Sequence, residues 1–465
     1  MSLINLKLVH WTTRIDSDGI VWLGLDKKDS SVNVLSQPVL QELQTCIENL
    51  EKSVPTGLVI YSEKNTSFIA GADINEFTQF SGENEVYEYI RSSQTLFDRI
   101  ETIACPTIAL IDGICLGGGL ELAMACQYRI ACDDDKTRLG LPEVNLGIHP
   151  GFGGTVRLPG LVGVFTSMNM MLVGRPVSAR AARKIGLVDY TTPRRHLLTA
   201  AVQVVKNPPK KTKLPLINKL LSLKLVRPLV ATLLTKKVSK KVSRKHYPAP
   251  FAIIELWKNH SHDKDVMTLK EAKSISKLLV SETAQNLVRV FFLQEKLKAQ
   301  GNQSNFRAKQ VHVVGAGVMG GDIAAWCALK GLKVTLQDRS AAVIAPAIKR
   351  AYQLFKRRLK KPRLIQQAMD QLIPDEKGLG VKEADIIIEA IYENKEAKHA
   401  LYKVIEPQMK EGALLVSNTS SIPLEELGTA LKFPNRLVGL HFFNPVAQMM
   451  LIEIVSTQQT DPDSV

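Results

Sequence analysis

Three consecutive glycines, Gly117, Gly118 and Gly119, stand between two apolar runs, Thr107–Ile111 and Leu122–Cys126. The first run is rich in β-formers and predicts a strand; the second predicts a helix. A strand, a glycine turn and a helix let peptide N–H groups approach a ligand closely, and the helix start adds a positive dipole end. By themselves the glycines would predict a tight turn. Glu121, at the mouth of the apolar helix, asks for more. A charge there costs energy unless it has a task or a partner, and the helix dipole is one such partner. A second carboxylate, Glu143, follows Pro142 and precedes another glycine-rich turn, Gly151-Phe152-Gly153-Gly154. Two carboxyls brought together in an apolar, backbone-rich pocket suit general acid/base chemistry.

The 465 residues suffice for two or three domains with their own cores. Gly19–Leu25 and Gly57–Tyr61 read as strands. Gln37–Leu50 and Val86–Ile103 carry apolar residues at helical spacing. This alternation predicts an α/β domain over residues 1–190. Residues 191–307 read as a helical linker, basic in its first part: Lys206, Lys210, Lys211, Lys213, Lys219, Lys224, Arg227, Lys236, Lys237, Lys240, Lys241, Arg244 and Lys245. Apolar residues interleave with them. A membrane-surface or acyl-covering helix and a plain solvated connector both fit that pattern. The stretch lacks aromatics that stack on bases, which argues against nucleic acid. The net charge of +15 favours an anionic partner without choosing one. The six cysteines form no CxxC pair, so no metal site is expected.

A third domain is expected over residues 308–465. Val311–Val314 predicts a strand running into Gly315-Ala316-Gly317-Val318-Met319-Gly320, then a helix and a second strand ending at Asp338. An acid about twenty residues after the glycines is the context a dinucleotide fingerprint requires. Gly315 makes the turn, Gly317 lets the backbone reach a pyrophosphate, and Gly320 lets helix and strand pack. Asp338 is expected to bind the adenosine ribose and to favour NAD over NADP. Further on, a histidine sits in LHFFNP (His441), more often a satisfied core residue. Twelve residues later Glu453 lies in the apolar run LIEIV, an odd place for a buried acid. Paired, each explains the other.

GICLGGGLELAMAC, LGLPEVNLGIHPGFGGTVRLP and SFIAGADI resemble the signature stretches of the enoyl-CoA hydratase/isomerase (crotonase) superfamily. GAGVMG, EAIYENKEAK, SNTSS and HFFNP with IEIV resemble the NAD-binding domain of L-3-hydroxyacyl-CoA dehydrogenases. Together they resemble the alpha-subunit family of the fatty-acid beta-oxidation multienzyme complex. The resemblance implies a crotonase-like ββα spiral, a helical linker and a Rossmann-type domain. It also implies an oxyanion hole from the N–H groups of Ala72 and Gly118. Glu121 would activate water and Glu143 protonate C2 of a trans-2-enoyl-CoA; such a pair also suits Δ3-Δ2 isomerisation. His441 would be the base and Glu453 its orienter in oxidising the L-3-hydroxyacyl-CoA. Ser420, Asn444, Glu393 and Lys398 would lie on the cofactor or substrate side. A thiolase partner in an α2β2 complex is implied as well.

The family continues with a helical domain beyond the position of Val465, so the expected dehydrogenase half lacks part of its substrate cleft. Two alternatives stand beside this reading: another acyl-CoA reaction on the crotonase scaffold, or a membrane- or thiolase-docking subunit with a non-catalytic NAD domain. With neither a targeting segment nor a spanning helix expected, the chain reads as cytoplasmic, peripheral to the inner membrane at most.

Overall fold

The computed structural model describes residues 6–465 except 66, 211–214, 216–217, 219–220, 222, 301–305 and 450. Lys211, Lys213 and Lys219 of the basic run, and residues 301–305 of the loop expected before the third domain, lie outside the described residues. The chain forms two units, Met1–Gly301 and Asn302–Val465.

In the first unit, strands β1 (Trp11–Ile15), β2 (Ile20–Leu25), β3 (Gly57–Ser62), β5 (Thr107–Ile111), β7 (Tyr128–Cys132) and β10 (Tyr190–Thr192) make a six-stranded sheet in that order. All its pairs are parallel except the β1–β2 hairpin. A smaller sheet holds β4 (Ser67–Ile69), β6 (Ile114–Leu116), β8 (Arg138–Gly140) and β9 (Val177–Ser178). The pairs β3/β4, β5/β6 and β7/β8 each place one strand in the large sheet and the next in the small one. A helix or 3-10 turn follows each pair, which is the expected ββα spiral. The apolar stripes predicted for the first two helices are their buried faces: Val39, Leu43, Ile47 and Leu50 in Gln37–Lys52, and Val86, Ile90, Phe97 and Ile100 in Glu83–Thr102.

The expected separate linker over 191–307 does not stand apart. Helices Ala249–His260, Lys264–Leu279 and Glu282–Gln300 belong to the first unit. Their Ile253, Trp257, Met267, Ile275 and Val288 are buried in one core with Leu23, Leu43 and Phe97. The physical reason is that helices with this much apolar surface need a partner, and the spiral supplies it.

In the second unit a seven-stranded sheet runs β13 (Leu372–Pro374), β12 (Lys333–Gln337), β11 (Gln310–Val314), β14 (Ile386–Glu389), β15 (Leu414–Ser417), β16 (Leu437–Phe442) and β17 (Ile452–Val455). Six strands are parallel and β17 closes one edge antiparallel. Apolar cores cover both faces, as a parallel sheet requires. The order reverses beside β11, which places the glycine turn after β11 at the switch point where such sheets bind nucleotides.

Candidate functional site

In the first unit Gly117 ends β6 with φ +51° and opens the helix Gly118–Ala125, which carries Glu121. Side-chain space is closed here. A Cβ on Gly119 would lie 2.4 Å from the Ile69 carbonyl oxygen, and one on Gly117 would lie 3.5 Å from the Cα of Gly71 and 3.2 Å from Glu143 Oε1. The glycines therefore press the helix start against the β4 exit and against the second carboxylate. Leu35 N–H donates to the Gly71 carbonyl at 2.8 Å and Asp73 N–H to the Leu35 carbonyl at 3.1 Å, fixing Ala72 between them. The N–H groups of Ala72 and Gly118 donate to no atom of the described residues.

Glu121 is 2% exposed. Its Oε1 accepts from Phe152 N–H at 2.8 Å and Gly154 N–H at 2.7 Å. Glu143 begins the 3-10 turn Glu143–Leu146, and both its carboxyl oxygens are buried without a hydrogen-bond partner among the described residues. Burial pushes its carboxyl up to about 8, helped by the charge of Glu271. Burial, then the charges of Glu143 and Glu271, hold Glu121 well above the usual carboxyl range.

In the second unit Gly315 turns the chain with φ +106° and donates to the Gln337 carbonyl at 2.8 Å. A Cβ on Gly320 would lie 1.9 Å from the Gly315 carbonyl oxygen, whereas one on Gly317 would meet nothing within 4 Å. Thus Gly320 packs the helix Val318–Leu329 onto the turn, and Gly317 faces open space at the helix start. Val318 is 55% exposed beside it and Met319 packs against the core. Asp338 braces the same turn, accepting from Ala316 N–H and Arg339 N–H at 2.7 Å each. An open backbone cradle at a helix N-terminus, with a carboxylate at the next strand end, fits a dinucleotide.

His441 on β16 and Glu453 on β17 are register partners, and His441 Nδ1 lies 2.8 Å from Glu453 Oε2. His441 Nε2 lies 3.1 Å from Ser420 Oγ. Glu393 Oε1 accepts from Ser420 N–H at 2.9 Å, Ser421 N–H at 3.0 Å and Thr419 Oγ1 at 2.6 Å. Although partial burial opposes it, these bonds and the charge of Lys398 draw its carboxyl down to about 2. Lys398 itself is fully buried, 2.7 Å from Glu389 and 3.2 Å from Glu393, so it stands behind the loop that carries Ser420. Asn444 is exposed just beyond β16. Contrary to the expectation of a buried acid, the Glu453 side chain is 52% exposed and that of His441 23%. β17 is an edge strand, every residue of which meets solvent. Among the described residues no group of three or more metal-ligating side chains occurs.

A profile described as "Enoyl-CoA hydratase/isomerase" matches residues 16–239, and one described as "3-hydroxyacyl-CoA dehydrogenase, NAD binding domain" matches residues 310–465. A fatty acid oxidation complex subunit alpha from Aliivibrio fischeri is 34% identical over 99% of this chain and 68% of its own length. The chain belongs to the family of fatty acid oxidation complex alpha subunits. The Shewanella baltica (strain OS155) member is 35% identical over 97% of this chain and 66% of its own length. The chain thus spans about two thirds of the curated relatives it matches. Among solved structures, an enoyl-CoA hydratase from Bacillus anthracis is 26% identical over 62% of this chain and 97% of that one, with a TM-score of 0.40. NAD is the cofactor of a domain of this family.

Several residues at both sites escaped the sequence reading. Glu271, Gln94 and Thr155 surround Glu121's turn, and Glu271 came from a stretch read as linker. Glu389, Tyr402 and Ser417 form a buried cluster behind Glu393, with Tyr402 Oη and Ser417 Oγ donating to Glu389 at 3.0 and 2.7 Å. Tyr247, in YPAPF, donates to the Val144 carbonyl and so holds the Glu143 turn. For Glu271 one signal existed: an acid in a helix face that otherwise reads apolar, between Met267 and Ile275.

Proposed function

We propose that the chain hydrates trans-2-enoyl-CoA thioesters to L-3-hydroxyacyl-CoA and that its second unit oxidises the product with NAD, within fatty-acid beta-oxidation. The observation that carries this is the meeting of two desolvated carboxyls, Glu121 and Glu143, beside two undonated amides. The thioester carbonyl would accept from Ala72 and Gly118 N–H, which stabilise the charge that builds there as water attacks C3. Glu121, fixed through Oε1, presents Oε2 to the water and takes its proton. Glu143, its carboxyl held up to about 8 by burial, carries a proton at neutral pH and gives it to C2. The same pair suits Δ3-Δ2 isomerisation by moving a proton between C2 and C4.

In the second unit NAD, when bound, supplies the hydride acceptor. Gly315, Gly317, Val318, Met319 and Gly320 would hold it and Asp338 its ribose, while Glu393, Lys398, Ser420 and Asn444 shape the cofactor side. His441 takes the hydroxyl proton and Glu453 steadies the imidazole. Enoyl absorbance of crotonyl-CoA should fall without NAD, and NADH should then appear when NAD is added. Undiminished absorbance rejects the hydration, and equal efficiency with NADP rejects the role of Asp338.

The relatives' name speaks of a complex, and we extend this to a thiolase partner, which an α2β2 assembly implies. A membrane surface is the second proposed partner. From residue 190 to residue 254 the sequence holds fifteen Lys and Arg and no Asp or Glu, equal to the whole net charge of +15. Beside Lys224 and ahead of Lys236, Lys237, Lys240 and Lys241, the side chains of Leu225, Leu229 and Leu233 are 89%, 68% and 64% exposed at a spacing of four residues. An apolar stripe set among cations is what an anionic lipid surface attracts. No helix among the described residues is long and apolar enough to cross a membrane. Salt-sensitive sedimentation with phosphatidylglycerol vesicles, weakened by L225S/L229S, tests this; equal sedimentation of wild type and variant rejects it.

A further inference from the structure

Glu271 belongs to the helix Lys264–Leu279, more than a hundred residues beyond Glu143, and is fully buried. All its capacity goes to one turn and one side chain. Oε1 accepts from Gly153 N–H at 2.6 Å and from Gln94 Nε2 at 3.0 Å. Oε2 accepts from Thr155 N–H at 3.0 Å and from the Thr155 hydroxyl. Glu121 holds the amides in between, Phe152 and Gly154. Four successive N–H groups, 152 to 155, therefore alternate between two carboxylates. Gln94 ties this clamp to the helix Glu83–Thr102 by donating also to the carbonyls of Gly151 and Thr268, at 2.9 and 3.1 Å.

We propose that Glu271 is a positioning residue of the hydration site, locking the turn 151–155 so that its amides aim Glu121 at the substrate. This rests on the hydratase reading above. The geometry favours it over a merely structural clamp. Glu271 shares its turn with Glu121, and none of Glu121, Glu143 and Glu271 has a Lys or Arg ion-pair partner among the described residues, so the amides that Glu271 fixes are what orient Glu121. The other charged or titratable groups near the turn, Arg157, His149 and Tyr89, make no hydrogen bond or ion pair to Glu121, Glu143 or Glu271. Arg157 donates to the Phe152 carbonyl at 3.1 Å and pairs with Asp98 and Glu101. His149 is bonded to Ser274 at 2.9 Å, with burial pushing it down to about 4. Tyr89 packs its ring on Phe152 at 5.8 Å, with its hydroxyl pushed up by burial. Glu271's own carboxyl is raised by burial, and its charge in turn pushes up both Glu121 and Glu143.

Glu271→Gln keeps the volume and one acceptor, removes the charge, and sets a donor against Thr155. Crotonyl-CoA hydration should lose about 10²-fold in kcat with little change in KM, as a small displacement of a reacting group does. The pH–rate profile should move to lower pH. Glu271→Asp keeps the charge but withdraws it from the turn, and should lower kcat without moving the profile. If Glu271→Gln does not fold, Thr155→Val and Gln94→Leu each remove one side-chain donor from Glu271, the second also freeing the carbonyls of Gly151 and Thr268, and should each lower kcat by a smaller factor. An infrared pH titration of the ligand-free protein follows the buried carboxyl band without substrate, and Glu271→Gln should shift its midpoint downward. A wild type that hydrates crotonyl-CoA, with variants that keep its kcat and pH profile at a lowered melting temperature, overturns the inference alone. A wild type that does not hydrate overturns the functional reading, and the infrared midpoint then decides whether Glu271 governs its neighbours; an unmoved midpoint overturns the inference as well.

Discussion

The two units treat clustered glutamates in opposite ways. In the first, Glu121, Glu143 and Glu271 are buried close enough to feel one another's charge; backbone amides hold two of them, and the Glu143 carboxyl has no partner among the described residues. In the second, Glu389 and Glu393 share the buried Lys398, and Glu393 also collects amides and hydroxyls from the Thr419–Ser421 loop. Burial without a cation raises a carboxyl, while a cation and donors lower it. The first unit thus keeps a proton on Glu143 at neutral pH, as a general acid needs. The second uses Glu393 as a fixed anion that holds a loop beside His441. The side chains of His441 and Glu453 are 23% and 52% exposed, whereas the carboxyl groups of Glu121 and Glu143 are buried.

The largest expected effects break the comparison by chemistry. Glu143→Gln should reduce crotonyl-CoA hydration by about 10²–10⁴-fold and leave NADH formation from 3-hydroxybutyryl-CoA unchanged. His441→Gln should do the reverse, by a similar factor. Separate assays of both reactions on both variants check this, and loss of both activities in either variant would contradict two independent sites.

Next comes stability. Lys398→Met strands Glu389 without its cation and should destabilise the second unit by about 3–5 kcal/mol. Hydrogen exchange resolved by peptide should show faster exchange in residues 310–417 and none in the first unit.

The last effect is with pH, and its sign differs between Glu143 and Glu393. Glu143 keeps its proton to about 8 in the fold but releases it near 4.5 when unfolded. The folded state binds more protons in that window, so this contribution to stability declines as pH rises from 4.5 to 8. Glu393 is ionised down to about 2 in the fold against 4.5 unfolded, so its contribution is full above 4.5 and lost as pH falls through 2. His149 stays neutral to about 4 against 6.5, and costs stability as pH falls through that interval. Exchange rates corrected for intrinsic pH dependence should show the first unit weakening on the alkaline side through Glu143 and below 6.5 through His149, and the second weakening on the acid side through Glu393.

The spiral and the nucleotide fold were legible because glycine turns sit between apolar runs at fixed places, and because Glu121 and Glu143 each lie next to one. The packing of Gly320 on the Gly315 turn was legible from spacing, since close approach is a backbone property. Glu271 could not be assigned: its partner turn is over a hundred residues away, and a helix in a stretch rich in lysine reads as solvated. The exposure of Glu453 was misread because an apolar run signals a strand without saying whether both its faces are covered.

One consequence concerns Gly119. Its missing side chain lets the helix lie against Ile69, three residues before Ala72, while Gly118 is its own neighbour. The contact acts as a feeler gauge for the jaw formed by those two amides. A single methyl there would part the helix from Ile69 and, on the proposed hydratase reading, leave a thioester oxygen on one amide instead of two, with every acid still in place.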